Sequence, residues 1–307
     1  MTRDGVLVAR HENELSRTTD VAERPEFCTR RTRKLVDGKS VEGWFSEDFS
    51  LGELKTLRAR EPSPDSRPCS AAFDGCFEIP TLQEIVDLLS AGEGRSDAAV
   101  TANAPARLRC GLYAELKHPT FYAAQGFDTA PLLVETLRSN GLAHERERVF
   151  IQSFEISTLK QLRRLTDLPL VQLLDVAGGP YDSEAEGGRR TYRDLTTATG
   201  LADIATYADA IGPAKTLVAP RSADGVAQPA ALLEDAHRLG LLVHAWTFRV
   251  EDGPRRAHRL IRQPMDREAA EKDLADELRR YLATGLDGLF TDYPDVAVRT
   301  RTAIFGG

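Results

Sequence analysis

From Gly111 onward, short apolar runs alternate with amphipathic stretches. LYAEL (112–116), VFIQSF (149–154), LVQLLD (170–175), DAIGP (209–213), LLVHAWTF (241–248) and LDGLFT (286–291) read as strands. The spacing between them predicts helices near 129–140, 157–166, 201–209, 229–239 and 267–284. A last helix, roughly 294–304, opens with Pro294 in its first turn, and Gly141, Gly240 and Gly285 stand at C-cap positions. Strand–helix alternation predicts a parallel α/β sheet with crossover helices, each strand covered on both faces. Six such strands fit most of a (β/α)8 barrel, with an open doubly wound sheet as the alternative. The barrel is favoured because Glu115, Lys117, Gln152, His244, Trp246 and Asp292 recur near the C-terminal strand ends, where barrels carry their sites. No glycine-rich phosphate loop follows any strand, which weakens a dinucleotide-binding reading. Two inserts after strands, 177–196 and 249–266, are expected to overhang the site face as flexible rims.

Residues 1–80 carry no such rhythm. Met1–Gly5 reads as a turn and Val6–His11 as the strand leaving it. Asp37-Gly38 is a turn pair, 61–75 a loop, and Arg30-Arg31-Thr32-Arg33-Lys34 a solvated loop. Ser50 and Glu53 form a capping box for a helix Leu51–Ala59. Thr81 and Glu84 form a second, before a helix with Leu82, Ile85, Val86, Leu88 and Leu89 apolar.

The 307 residues allow two average domains or one large barrel, and 41% hydrophobic content with mean hydropathy −0.34 allows a full core. A net charge of −7 argues against nucleic acid or an anionic membrane as partner. A phosphate-bearing small molecule needs only local positive charge. No run of 18 apolar residues is present, so no membrane span is expected. Cys28, Cys69, Cys76 and Cys110 have no metal-binding rhythm and read as reduced thiols; a Cys69–Cys76 disulfide would require export. The chain starts without a signal-like leader, which favours the cytoplasm. A start lying further upstream would leave the compartment open between cytoplasm and export.

Alternation along Tyr113-Ala114-Glu115-Leu116-Lys117 puts Tyr113, Glu115 and Lys117 on one strand face. A hard cation would use Glu115 and a phosphate Lys117; a plain ion pair is the competing reading. Trp246 reads as a pocket wall or a core residue, His244 as a hydrogen-bonded core histidine and Asp292 as a helix N-cap. His11, followed by Glu12, has the form of a general acid or base with a carboxylate to orient it. His118, His144, His237 and His258 form no constellation in the sequence.

Taken in order, TRDGVLVARHENELSRTTD, Phe73-Asp74-Gly75 with Ile79-Pro80-Thr81-Leu82, LYAELKHPTFY, VFIQSFE, LVHAWTFR and GLDGLFTDYP resemble the glycerophosphodiester phosphodiesterase family across nearly the whole chain. The LYAELKHPTFY form is similar to the periplasmic branch. The resemblance implies a TIM barrel of the phospholipase-C-like phosphodiesterase type. It also implies hydrolysis of glycerophosphodiesters to glycerol 3-phosphate and an alcohol, with Ca²⁺ or Mg²⁺. It places Glu115 on a metal-ligand carboxylate, Lys117 on a phosphate-side cation and His11 on one of two acid/base histidines. Trp246 falls on a groove aromatic, and Gln152 and Phe154 on further pocket positions. Residues 12–80 then become a small cap inserted in one domain spanning 1–307. The family's opening His-Arg-Gly strand and Glu-x-Asp segment do not occur in this sequence. The expectation is therefore a barrel without its first strand–helix–strand unit, weakly stable, and inactive or nearly so. A glycerophosphodiester-binding pseudoenzyme is the alternative.

Overall fold

The turn pair Asp37-Gly38 is the tip of a hairpin. Strand β1 (Thr32–Val36) pairs antiparallel with β2 (Lys39–Gly43), and Val36 faces Lys39 across a two-residue loop. Both loop residues have positive φ, 46° and 73°, the backbone of a type I′ turn, whose twist matches that of the strands it joins. The basic run is therefore no loop. Thr32–Lys34 lie in β1, Arg31 and Arg33 pair with Glu42 at 2.7 Å, and Lys34 reaches Glu47 (2.9 Å) and Asp48 (2.7 Å). The polar sequence hid the strand because four of its five residues are not buried.

The computed structural model describes residues 1–93, 110–219, 231–252 and 267–306. The chain divides into two units, 1–169 and 170–307. In the first, Leu15, Val21, Phe27, Trp44, Phe49, Leu54, Leu57 and Ile79 form a buried cluster with Val8 packed on it. Phe27 and Phe49 meet edge to face at 5.0 Å, and the Arg30 guanidinium lies over both rings. Val6–His11 is not a strand: Val8 makes one antiparallel bridge to Thr81, because the Pro80 and Leu7 carbonyls take only the Ala9 and Leu82 N–H groups. The Ser50–Glu53 capping box forms, yet its helix is only Leu51–Leu54. Beyond it the chain turns away to pair with residues 18–20. Arg58 donates to the Asp20 carboxylate (2.8 Å), and Thr19 bridges Ala59. The second capping box forms as expected, with the Thr81 N–H donating to Glu84 at 2.7 Å ahead of helix Leu82–Glu93.

The apolar runs all become strands. β3 (Leu112–Glu115) and β4 (Val149–Ser153) run parallel in the first unit, and Tyr113 stacks on Phe150 at 5.1 Å. Helices Pro119–Ala123, Thr129–Ser139 and Ile156–Leu165 accompany them. In the second unit β5 (Leu170–Leu174), β6 (Ala210–Pro213), β7 (Leu242–Phe248) and β8 (Gly288–Thr291) are parallel in chain order. β5 and β6 are buried along their whole length, the mark of strands covered on both faces. The helix expected at 201–209 lies earlier, at Ala198–Ile204, because the Thr197 hydroxyl accepts from Gly200 N–H and starts it there. The insert 177–196 is not a free rim. It holds two short helices, Tyr181–Ala185 and Tyr192–Leu195, whose Asp182, Tyr192 and Leu195 are buried. Of the other insert, 253–266 lies outside the described residues. Asp292 does not cap helix Pro294–Phe305: its carboxylate accepts from Arg249 Nε at 2.7 Å, and Tyr293 stands at the N-cap. All four cysteines are exposed thiols.

Candidate active site

The register of β3 and β4 sets Glu115 beside Gln152 at their C-terminal ends, on the face shared by Tyr113 and Phe150. Lys117 follows two residues after Glu115 and its Nζ lies 3.6 Å from Glu115 Oε1. A cavity of about 70 Å³ opens there, lined by Arg10, His11, Glu115, Lys117, His118 and Tyr122 among others. Sites for water need roughly 10–15 Å³ each, so the space takes a few waters or one group of phosphate size.

His11 is exposed, and its Nδ1 meets Glu12 Oε1 at 2.8 Å. The other Glu12 oxygen lies 3.7 Å from His118 Nε2, and His118 Nδ1 meets Asp37 Oδ2 at 2.6 Å. Hydrogen bonding to His11, and next the nearby His118 ring, hold the Glu12 carboxyl well below the usual carboxylate range. Burial disfavours the charge on His118, but Asp37 and then Glu12 outweigh it and raise its pKa to about 9. Asp37 and His118 both adopt the left-handed backbone, φ 46° and 53°, at a cost of about 1–2 kcal/mol each. The β1–β2 hairpin tip is thus clasped to the loop that carries Lys117.

His118 had no constellation in the sequence because its partner stands 81 residues away. The local signal available was the Asp-Gly pair, which marks a hairpin tip without naming what the tip touches. His11, Glu115, Lys117 and Gln152 fall in the first unit, with His11, Glu115 and Lys117 on one cavity. Phe154, half-buried, follows β4 in the same unit. Trp246 belongs to the second unit, where its Nε1 donates to the Gly212 carbonyl at 2.7 Å. His244 is buried there, as a core histidine, and burial lowers its pKa.

A hard divalent cation asks for six or more oxygens. Glu115 Oε1 and Gln152 Oε1 are buried without hydrogen bonds. One of these two oxygens, however, already faces the Lys117 ammonium. Among the described residues no group of three His, Cys, Asp or Glu side chains could hold an ion. The donor set among the described residues does not fit such a cation.

The glycerophosphoryl diester phosphodiesterase family model matches residues 1–296, and the chain belongs to that family. A glycerophosphodiester phosphodiesterase of Arabidopsis thaliana is 30% identical over 304 residues, 95% of this chain and 73% of that protein. One from Haemophilus influenzae is 24% identical over 323 residues, covering 97% and 79%. A solved structure from Silicibacter pomeroyi DSS-3 superposes with a TM-score of 0.59 at 20% identity over 99% of this chain and 81% of that one, a likeness of fold. The family is typically metal-dependent. No helix among the described residues is long and apolar enough to cross a membrane.

Proposed function

We propose that this chain binds a glycerophosphodiester in the cavity beside Lys117 and hydrolyses it slowly to glycerol 3-phosphate and an alcohol. The observation that carries the reading is the placement of His11 and Lys117 on one cavity, with Glu12 fixed on His11 Nδ1. Lys117 Nζ meets a non-bridging phosphate oxygen as a point charge. With Nδ1 held by Glu12, His11 Nε2 gives its proton to the departing alkoxide, while water supplies the oxygen that phosphorus gains. The family resemblance gives Gln152 and Phe154 further pocket positions and gives Trp246, in the second unit, that of a groove aromatic. The cap at 12–80 selects the head group. The fold this reading takes is the phospholipase-C-like (β/α)8 barrel, supported by the likeness to the solved structure. Ca²⁺ or Mg²⁺, the cofactor the resemblance implies, would find Glu115 as its one carboxylate here, a set that does not fit it, and no step is routed through the ion. Because the described residues offer that ion one carboxylate, binding is expected to outlast turnover, and a binding protein without cleavage is the second reading.

Release of glycerol 3-phosphate from glycerophosphocholine, with Ca²⁺ or Mg²⁺ added, is expected far below the typical enzyme rate of about 10 s⁻¹. Lys117→Met is expected to weaken calorimetric binding by at least about tenfold. Turnover at ordinary enzyme rates overturns the slow-hydrolysis reading, and wild-type affinity in Lys117→Met overturns the role of Lys117.

A further inference from the structure

Arg10 lines the cavity beside Lys117 and His118. Its Nη2 donates to the Glu14 carbonyl at 3.2 Å and to the Thr18 hydroxyl, both neutral acceptors. Its Nε is buried without a hydrogen bond. Among the described residues no carboxylate is in ion-pair contact with its guanidinium. Several arginines of the 12–80 segment differ: Arg24 meets Asp20, Arg30 meets Glu53, Arg31 and Arg33 meet Glu42, and Arg60 meets Glu23. Burial lowers the Arg10 pKa, and the more distant Glu14 and Glu12 charges offset this only in part. A guanidinium taken out of water is costly unless a counter-charge and acceptors meet it.

We propose that Arg10 is a substrate-binding residue whose counter-charge is an oxyanion of the bound diester, shared with Lys117. The inference rests on the reading of this cavity as a glycerophosphodiester site. With Nη2 engaged, the Nε–H and Nη1–H donors on different sides of the guanidinium have no acceptor among the described residues, and each is free to meet one oxygen of a phosphate or carboxylate. Two sources present that chemistry: the phosphate common to all such diesters, and the carboxylate of an acidic head group.

Calorimetric titration of the full chain with glycerophosphocholine and with glycerophosphoserine tests this. Arg10→Gln is expected to weaken binding by about ten- to a hundredfold. Arg10→Lys, which keeps the charge and loses the directed Nε–H donor, is expected to weaken it several-fold. Equal losses on both ligands assign Arg10 to the phosphate; a loss on glycerophosphoserine alone assigns it to the head-group carboxylate. Either result supports the proposal. Wild-type affinity in both variants overturns it while leaving the hydrolase reading intact. If Arg10→Gln does not fold, Arg10→Lys decides: weaker binding supports the proposal and unchanged binding overturns it. A wild-type chain that binds neither ligand removes the underlying reading and the proposal together.

Discussion

Phe49→Ala is expected to cost about 3–5 kcal/mol of unfolding free energy, the range for removing a fully buried aromatic ring. Phe49 has no exposed surface, meets Phe27 edge to face and lies under the Arg30 guanidinium. Truncation removes the ring contacts and leaves a cavity that the surrounding Leu15, Leu54 and Leu57 fill only in part. The effect should reach the binding site, since Val8 packs on this same cluster and Arg10 and His11 follow it in sequence. Urea titration checks the stability and glycerophosphocholine titration the binding. A loss under about 1 kcal/mol would show that the cap does not fold around this ring.

The second large effect is one of pH. The folded pKa of His118, about 9, lies above its ordinary 6.5. A raised folded pKa stabilises the protein fully below the unfolded value, and that stability is lost as pH rises through the folded value. Stability should therefore fall between about pH 6.5 and pH 9. The ceiling is about 3 kcal/mol, the shift multiplied by 1.36 kcal/mol per unit. Other groups titrate in this window, so the measurement is a double difference: denaturant unfolding at pH 6 and pH 9.5, in the wild type and in His118→Asn. Asparagine tolerates the left-handed backbone and removes the titrating ring. An equal fall in the two proteins would mean that the Asp37–His118 contact contributes nothing.

The parallel strands were legible because each is an apolar run bounded by turn residues, and in β5 and β6 burial of both faces writes itself into sequence. The β1–β2 hairpin was not, since β1 reads Thr-Arg-Lys-Leu-Val and stabilises itself through ion pairs instead of a buried face. Helix ends were misplaced where a distant side chain took the backbone, as Asp20 does at Arg58, and where a local cap went unread, as Thr197 before Gly200. Glu115 and Lys117 could be read from alternation within one strand. His118 and Arg10 could not, because what distinguishes them is a partner far along the chain in one case and the lack of a carboxylate in the other. The expected N-cap at Asp292 failed for a related reason: Arg249 competes for the same carboxylate.

The clasp between Asp37 and His118 also has a kinetic side. It closes a loop of 81 residues, and the cavity draws on Arg10, His11 and Asn13 as well as 115–118. Turns and single helices form within microseconds, whereas contacts this far apart must first overcome the entropy of closing the chain between them. On refolding, the Asp-Gly turn and the capped helices come first, and ligand affinity is the last property the first unit regains.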